Sequence, residues 1–126
     1  MALKVTIAER TQSSYLVALE GKLDCDTYSE CSETISPLLT ESANVLILDM
    51  AKLDYLSSLG LRVLNNTRKT IESSKGHMLF INVQPMVRGV FQIVCPSVLD
   101  VTFRSLEEAE MYLYFIQKHE AGSQKA

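Results

Sequence analysis

Two adjacent serines, Ser57 and Ser58, stand directly before a stretch with the periodicity of an amphipathic helix. A serine at a helix N-cap accepts a hydrogen bond from a free backbone N–H group of the first helical turn. Neither serine is followed three residues later by Glu or Gln, so no capping box competes for the hydroxyl. The spacing therefore predicts an accessible hydroxyl group at a helix start, and phosphorylation is the chemistry that such a group could undergo.

A phosphate on one of these serines would change the surface charge without unfolding the domain. It carries about −1.5 to −2 charges, which a helix N-terminus favours by roughly 0.3 to 1 kcal/mol, and Arg62 lies one turn along as a counter-charge. In a docked interface an incompletely paired phosphate costs several kcal/mol, and about 4 kcal/mol is roughly a thousandfold in affinity. If one of these serines lay in such an interface, its phosphorylation would act as a switch, because the unmodified serine permits docking and the phosphorylated serine prevents it.

Gly60, which follows the serines, has two interpretations. Its missing side chain would let the backbone of a partner approach closely. The alternative is that Ser57 and Ser58 only cap the helix and that Gly60 relieves crowding inside the domain.

The other reactive side chains do not form a recognisable catalytic or metal-binding set. Asp49 follows four apolar residues, as the acceptor of a response-regulator receiver would, but a receiver needs an acidic pair after its first strand to hold Mg²⁺, and residues 3–12 contain only Glu9. The three cysteines lack C-x-x-C spacing and are accompanied by only two histidines. We therefore predict no catalytic residue, no metal and no cofactor, and expect Asp49 to form hydrogen bonds that shape the loop before Ser57.

Short apolar strands alternate with amphipathic helices along most of the chain. Residues 3 to 19 contain two strand patterns separated by a polar break, which predicts an antiparallel pair, whereas the later unbroken apolar runs suit strands covered on both faces. Thr27 and Ser105 stand where two of the helices would be capped. The predicted strands are 3–8, 15–19, 44–49, 78–81 and 99–103, and the predicted helices are 28–38, 58–74, 85–94 and 105–116. This alternation predicts an α/β domain with an antiparallel start and a mostly parallel centre.

Length and composition suit one soluble domain. The chain has 126 residues, of which 47% are hydrophobic and 21% charged, so it can bury a core of its own. The net charge of −3 provides no basic surface for nucleic acid. No apolar run is long enough to cross a membrane, and the N-terminus lacks the apolar region of a secretory signal. We therefore expect a cytoplasmic protein that binds neither nucleic acid nor a membrane.

The C-terminal part leaves two alternatives open. Tyr112, Tyr114 and Phe115 would either pack against the sheet, which we favour, or form a patch for a dimer or a partner. A monomer and a weak homodimer both remain possible. Residues 121–126 have nothing to bury, so we expect a domain over residues 1–120 and a flexible tail over 121–126.

The segment Asp49-Met-Ala-Lys-Leu-Asp-Tyr-Leu-Ser-Ser-Leu-Gly-Leu-Arg-Val-Leu64 resembles the signature of STAS domains, the family of bacterial anti-sigma factor antagonists. Gly21-Lys-Leu-Asp24 with Thr27 is similar to the family's loop after the second strand, and Ser105-Leu-Glu-Glu-Ala109 to its closing helix. The resemblance covers most of residues 3 to 118 in the family's order. It implies a STAS-like single domain with a mixed, mostly parallel sheet of about five strands and about four helices.

The resemblance also implies a role for these residues. In the family, the serine after an aspartate is phosphorylated by a kinase that is also the anti-sigma factor, and that serine corresponds to Ser58, with Ser57 as the second candidate. The family's aspartate is Ser57 here and its second hydroxyl residue is Leu59, whereas Gly60 and Leu61 match. The residues expected to contact the partner are Asp24, Thr27, Ser57, Ser58, Leu59, Gly60 and Arg62.

The function implied is therefore regulation of transcription by protein binding. The chain is expected to be a non-enzymatic anti-sigma factor antagonist, which binds a histidine-kinase-like serine kinase when Ser58 is free and so releases a sigma factor. A phosphatase would reset the switch. The alternative is a scaffolding STAS domain in a signalling assembly whose serines are never modified. A small phosphate-binding enzyme is disfavoured, because no base, metal cluster or glycine-rich phosphate loop accompanies the serines.

Overall fold

The computed structural model describes residues 3–11, 13–40 and 44–125, and its centre is one five-stranded sheet. The strands lie side by side in chain order, and they are β1 (Leu3–Thr11), β2 (Ser14–Leu23), β3 (Val45–Leu56), β4 (His77–Ile81) and β5 (Thr102–Phe103). Strand β1 pairs with β2 in antiparallel orientation, and the other three pairs are parallel. The predicted mixed and mostly parallel sheet is confirmed.

Helices cover both faces of this sheet. They are α1 (Tyr28–Thr40), α2 (Ser58–Ser73), α3 (Pro85–Val94) and α4 (Leu106–Lys125), with a 3₁₀ helix over Pro96–Val101. Buried residues of α1, α2 and α3 pack with Leu46, Leu48 and Phe80 on one face. On the other face Ala109 and Leu113 of α4 pack with Ile47 and Leu79. The unbroken apolar runs of β3 and β4 are thus buried from both sides, as predicted.

Strand β3 is longer than the sequence pattern predicts. The prediction ends it at Asp49, but it continues to Leu56 and pairs beyond Asp49 with β2 alone. Two register shifts in this pairing place Met50, Leu53 and Leu56 in the core, three residues apart. That spacing resembles a helical face and hides the strand from a search for strict alternation.

Two further predictions of local structure are wrong. Residues 99–101, predicted as part of a strand, belong to the 3₁₀ helix, and only Thr102 and Phe103 pair with β4. The Thr102 hydroxyl donates to the Val98 carbonyl oxygen at 2.8 Å and stabilises the end of this helix. The segment before Ser57, expected to be a loop, is part of β3, and Asp49 forms hydrogen bonds as expected: its Oδ1 accepts from the Ala51 N–H at 3.1 Å and from the Asn82 amide at 3.2 Å.

The C-terminal helix divides the predicted aromatic cluster. Tyr112 packs on Phe103 with ring centroids 4.9 Å apart, whereas Tyr114 and Phe115 are exposed. The favoured packing interpretation therefore holds for Tyr112 and is wrong for the other two. The helix reaches Lys125, so the backbone of residues 121–125 is helical, and the flexibility expected of this segment stays a prediction.

Candidate functional site

The loop after β2 and the start of α2 are joined at one edge of the sheet. Leu23, the last residue of β2, lies in register with Leu56, the last residue of β3. The Ser57 backbone N–H donates to the Leu23 carbonyl oxygen at 2.9 Å. The two segments that the sequence proposes for partner binding, residues 24–27 and 57–62, therefore lie next to each other, and we call this surface the serine edge.

Ser57 is the N-cap of α2. Its backbone is extended, with φ −84° and ψ 165°, and its Oγ accepts a hydrogen bond from the Gly60 N–H at 3.0 Å. Its backbone carbonyl accepts from the Leu61 N–H at 2.9 Å. Through these bonds Ser57 caps α2 and provides acceptors for the Gly60 and Leu61 N–H groups at the start of the helix.

Ser58 is the first residue of α2 and is exposed. Its hydroxyl has no hydrogen-bond partner within the described part of the chain. The two adjacent serines thus have different environments, since one hydroxyl is bound to the helix and the other faces solvent. This difference favours Ser58 over Ser57 as the group that another protein can reach.

Gly60 is buried and serves packing inside the domain. A Cβ at this position would lie 2.8 Å from the Leu23 carbonyl oxygen, 2.9 Å from Leu23 Cγ and 3.1 Å from Leu56 Cδ1. These distances are shorter than van der Waals contact, so a side chain would force α2 away from the sheet. The interpretation that Gly60 admits the backbone of a partner is therefore wrong, and the interpretation that it relieves crowding is right.

Asp24 and Thr27 fix the neighbouring loop. The Oδ1 of Asp24 accepts from the Asp26 N–H at 2.9 Å and from the Thr27 N–H at 3.2 Å. The hydroxyl of Thr27 accepts from the Asp24 N–H and donates to the Lys22 carbonyl oxygen, both at 2.9 Å. Thr27 is buried and points back into the loop, so the prediction that its side chain caps α1 is wrong. Asp24 closes the turn that precedes the helix.

The other predicted contact residues differ in accessibility. Arg62 is exposed and forms no ion pair with another residue of the described ranges, so its guanidinium can meet an incoming anion. Leu59 is half-buried. The accessible members of the predicted set are thus Ser58 and Arg62, and Thr27 and Gly60 support them from within.

Two tyrosines at the serine edge were missed by the sequence analysis. Tyr28 begins α1 and is 37% exposed, although its spacing places it on the core face of that helix. Tyr55 lies two residues before Ser57, pairs in register with Lys22 and is 44% exposed. Exposed tyrosines are enriched at protein interfaces because they combine apolar area with a hydroxyl. The sequence contains no periodic signal for Tyr55, because the buried residues of this part of β3 recur at every third position.

The side chains of this part of the fold do not form a catalytic arrangement. Burial raises the pKa of Cys31, on the inner face of α1, to about 11, so its thiol stays protonated near neutral pH and is a poor nucleophile. Among the described residues, no group of three or more His, Cys, Asp or Glu side chains is placed to hold a metal ion. Nor does any helix in these ranges have both the length and the apolar composition needed to span a bilayer.

Comparison with known proteins places this geometry among related domains. The family model of the STAS domain matches residues 5–109. BtrV of Bordetella bronchiseptica, a candidate anti-sigma factor antagonist by its name, is 25% identical over 91 residues, which are 72% of this chain and 78% of BtrV. An anti-sigma factor antagonist from Mycobacterium paratuberculosis superposes with a TM-score of 0.77 at 18% identity, covering 88% of this chain and 93% of that one.

A second structural relative, SpoIIAA of Bacillus, has been solved in two states. Its unphosphorylated form superposes with a TM-score of 0.74 at 21% identity, covering 86% of this chain and 93% of SpoIIAA. Its phosphorylated form gives a TM-score of 0.71 at 20% identity, with 88% of this chain and 99% of SpoIIAA covered. The fold described above is therefore shared with proteins that are known with and without phosphate.

Proposed function

Because the chain belongs to the STAS domain family, we propose that it is an anti-sigma factor antagonist whose binding is controlled by phosphorylation of Ser58. The observation that carries this proposal is the exposed Ser58 hydroxyl, which begins α2 and has no partner among the described residues. BtrV bears the name of such an antagonist, and SpoIIAA, an antagonist, has been solved in a phosphorylated form, which supports the same function for this fold.

The partner proposed is an anti-sigma factor that is also a histidine-kinase-like serine kinase. It binds the serine edge when Ser58 is unmodified, and the sigma factor that it held is released by competition. Tyr28 and Tyr55, which are exposed and adjoin the two segments of the serine edge in sequence, offer apolar contact area, and Arg62 offers a positive charge. Transfer of the terminal phosphoryl group of ATP to Ser58 Oγ leaves ADP and a phosphoserine, and a phosphatase restores the hydroxyl. We place this exchange in the cytoplasm.

The magnitudes favour loss of binding over loss of structure. Ser58 is exposed and stands at the positive end of α2, so a phosphate there gains roughly 0.3 to 1 kcal/mol from the helix. When the partner covers the same position, the dianion must give up water and costs several kcal/mol unless it is fully paired. Arg62 supplies one charge against about two, so the phosphorylated form is excluded from the interface while the domain stays folded.

Ser57 keeps the helix start in place and is not the modified residue in this proposal. Its Oγ already accepts the Gly60 N–H and is only partly exposed, whereas the Ser58 hydroxyl is exposed. An aspartate, which the family carries at this position, is an equally good N-cap. The departure from the family's motif at Ser57 is therefore compatible with the same local structure.

The proposal is tested by incubating the protein with ATP and the histidine-kinase-like serine kinase of the same organism, and by locating the phosphate through mass spectrometry. We expect one phosphate, on Ser58. Ser58→Ala should remove the modification and keep binding, whereas Ser57→Ala should remain a substrate. Modification of Ser57 instead, or undiminished phosphorylation of Ser58→Ala, would contradict the assignment.

The scaffolding alternative predicts different results from the same materials. Without modification at the serine edge, Ser58→Ala and Ser58→Asp would bind the kinase as the unsubstituted protein does, and ATP would leave the mass unchanged. A stable complex that is insensitive to both substitutions would favour constitutive assembly over the switch.

A further inference from the structure

A crevice opens at the carboxyl end of β4 and β5, and none of the residues that line it belongs to the serine edge. The chain leaves β4 toward α3, whose Val87 and Phe91 pack on one face of the sheet. It leaves β5 toward α4, whose Ala109 packs on the opposite face. Two adjacent parallel strands whose following helices lie on opposite faces leave a gap between the two connections. In α/β proteins such gaps at the carboxyl ends of strands are the usual place for a small ligand.

The gap contains a cavity of about 550 Å³, which is within the range of small-molecule sites. Three separate parts of the chain form it: the segment after β4, the first turns of α3, and the segment from β5 into α4. The lining residues are Asn82, Val83, Arg88, Thr102, Phe103, Arg104 and Glu108. The Asn82 backbone N–H donates to the Phe103 carbonyl oxygen at 3.3 Å and joins the two sides, while the Asn82 side chain donates to Asp49 of β3.

The charged donors available to a ligand are two guanidinium groups. Arg88 and Arg104 line the cavity, and neither forms an ion pair with another residue of the described ranges. Glu108 is the one carboxylate in the lining, and its Oε1 accepts the Arg104 backbone N–H at 3.0 Å. Two positive charges against one negative charge leave an excess that suits a phosphate, which guanidinium groups bind through paired N–H donors.

The remaining polar atoms of the lining are mainly acceptors. One N–H of the Asn82 amide already donates to Asp49, which leaves its carbonyl oxygen and its second N–H for a ligand. The Thr102 hydroxyl already donates to Val98, so its oxygen can only accept. Together with Glu108, the oxygen atoms of Asn82 and Thr102 would accept from hydroxyl groups of a ligand and would not bind its phosphate.

We propose that the crevice between α3 and α4 binds a small phosphomonoester that also carries hydroxyl groups, with Arg88 and Arg104 on the phosphate. Asn82, Thr102 and Glu108 accept from the hydroxyl groups. A sugar phosphate and a nucleoside monophosphate share this chemistry. The site lies on other residues than the serine edge, so it does not depend on the function proposed for Ser58.

The test is a titration of the ¹⁵N-labelled protein with ribose 5-phosphate, followed by the backbone amide shifts. We expect saturable shifts confined to residues 82–88 and 102–108. Inorganic phosphate should bind at least about tenfold more weakly, because it leaves the acceptors unused, and ribose should not saturate the site. Tighter binding of AMP than of ribose 5-phosphate would identify the nucleoside form, and weaker binding the sugar form.

Variants decide whether the arginines carry the binding. Arg88→Gln and Arg104→Gln should each weaken the binding of ribose 5-phosphate by at least about tenfold. Arg88→Lys keeps the charge and loses the paired donors, so its affinity should lie between those of the unsubstituted protein and Arg88→Gln. Lys69→Gln, which removes an exposed charge from α2 outside this cavity, should bind like the unsubstituted protein. All four substitutions are at exposed positions, so the melting temperatures should stay close to that of the unsubstituted protein.

Three results would overturn the proposal: shifts outside the crevice, arginine variants that bind as the unsubstituted protein does, or equal affinity for phosphate and its ester. The absence of saturable binding by every probe would overturn it as well. These outcomes leave the experiments on Ser58 unaffected, because neither arginine belongs to the serine edge.

Discussion

The hydroxyl of Ser57 accepts a hydrogen bond from the Gly60 backbone N–H at 3.0 Å. This bond gives the two adjacent serines different tasks, because it leaves Ser57 at the helix N-cap and Ser58 exposed beside it. A phosphate added to Ser58 therefore meets the helix start without replacing the cap. The proposed phosphorylation of Ser58 is thus compatible with an intact helix cap at Ser57.

The cap should be visible in stability measurements. Ser57→Ala removes the acceptor of the Gly60 N–H and should lower the free energy of unfolding by about 1 kcal/mol, or roughly 3 to 5 °C in melting temperature. Ser57→Asp, which can accept the same N–H, should retain most of that stability. Urea denaturation measures both. Ser58→Ala is the matched control, and a loss as large as that of Ser57→Ala would contradict the division of roles.

The two glycines at positions 60 and 89 should respond to alanine in opposite directions. Gly60→Ala places a methyl group 2.8 Å from the Leu23 carbonyl oxygen and should destabilise the protein by about 1 to 3 kcal/mol. Gly89 lies within α3, where a Cβ would meet no atom within 4 Å. Gly89→Ala should therefore stabilise by about 0.5 to 1 kcal/mol through helix propensity. Thermal denaturation of the pair tests this, and equal effects would show that the packing around Gly60 is misassigned.

Much of the sheet can be predicted from the sequence. The apolar run before Asp49 and the run in β4 are covered from both faces, so they appear in the sequence as unbroken apolar segments. The exposed position of Ser58 at the start of α2 was also predictable from the sequence, since the residues that decide it are its neighbours in the chain. The full length of β3 was not, because Met50, Leu53 and Leu56 recur at a spacing that suits a helix. Partner strands and register shifts, which are long-range features, decide that they form a strand.

The crevice at Arg88 and Arg104 could not be predicted for a related reason. Its residues come from three segments that are separated in sequence, and only the positions of α3 and α4 on opposite faces bring them together. The role of Gly60 was likewise open until the position of Leu23 was known. Features that depend on neighbouring residues can thus be predicted from the sequence, whereas contacts between distant segments are known only from the three-dimensional structure.

Tyr55 should contribute to partner binding without contributing to stability. It is 44% exposed at the end of β3, beside the serine edge, and an exposed aromatic at an interface can cost more than 1 kcal/mol when truncated. Tyr55→Ala should therefore weaken binding of the kinase by about tenfold with little change in melting temperature. Tyr114→Ala is the control, since Tyr114 is 59% exposed on α4, which contributes no residue to the serine edge. An equal loss for both tyrosines would place the interface elsewhere.

Cys31 should make stability depend on pH in the alkaline range. Burial raises the pKa of its thiol from 9.0 to about 11, so the folded protein holds this proton more tightly than the unfolded chain. The stabilisation is complete below pH 9 and is lost as pH rises toward about 11, by about 1 kcal/mol per pH unit. Urea titrations across this range should show the slope, and Cys31→Ala should reduce it. If Cys31→Ala left the slope unchanged, the pH dependence of stability would come from other titratable groups.

The central claim is tested most directly by comparing the affinity of the serine kinase for unmodified protein and for protein phosphorylated at Ser58, using calorimetry with both forms at one ionic strength. We predict that phosphorylation weakens binding by about a hundredfold or more, while the melting temperature changes by no more than about 2 °C. Equal affinity of the two forms, or a phosphorylated protein that no longer folds, would contradict it.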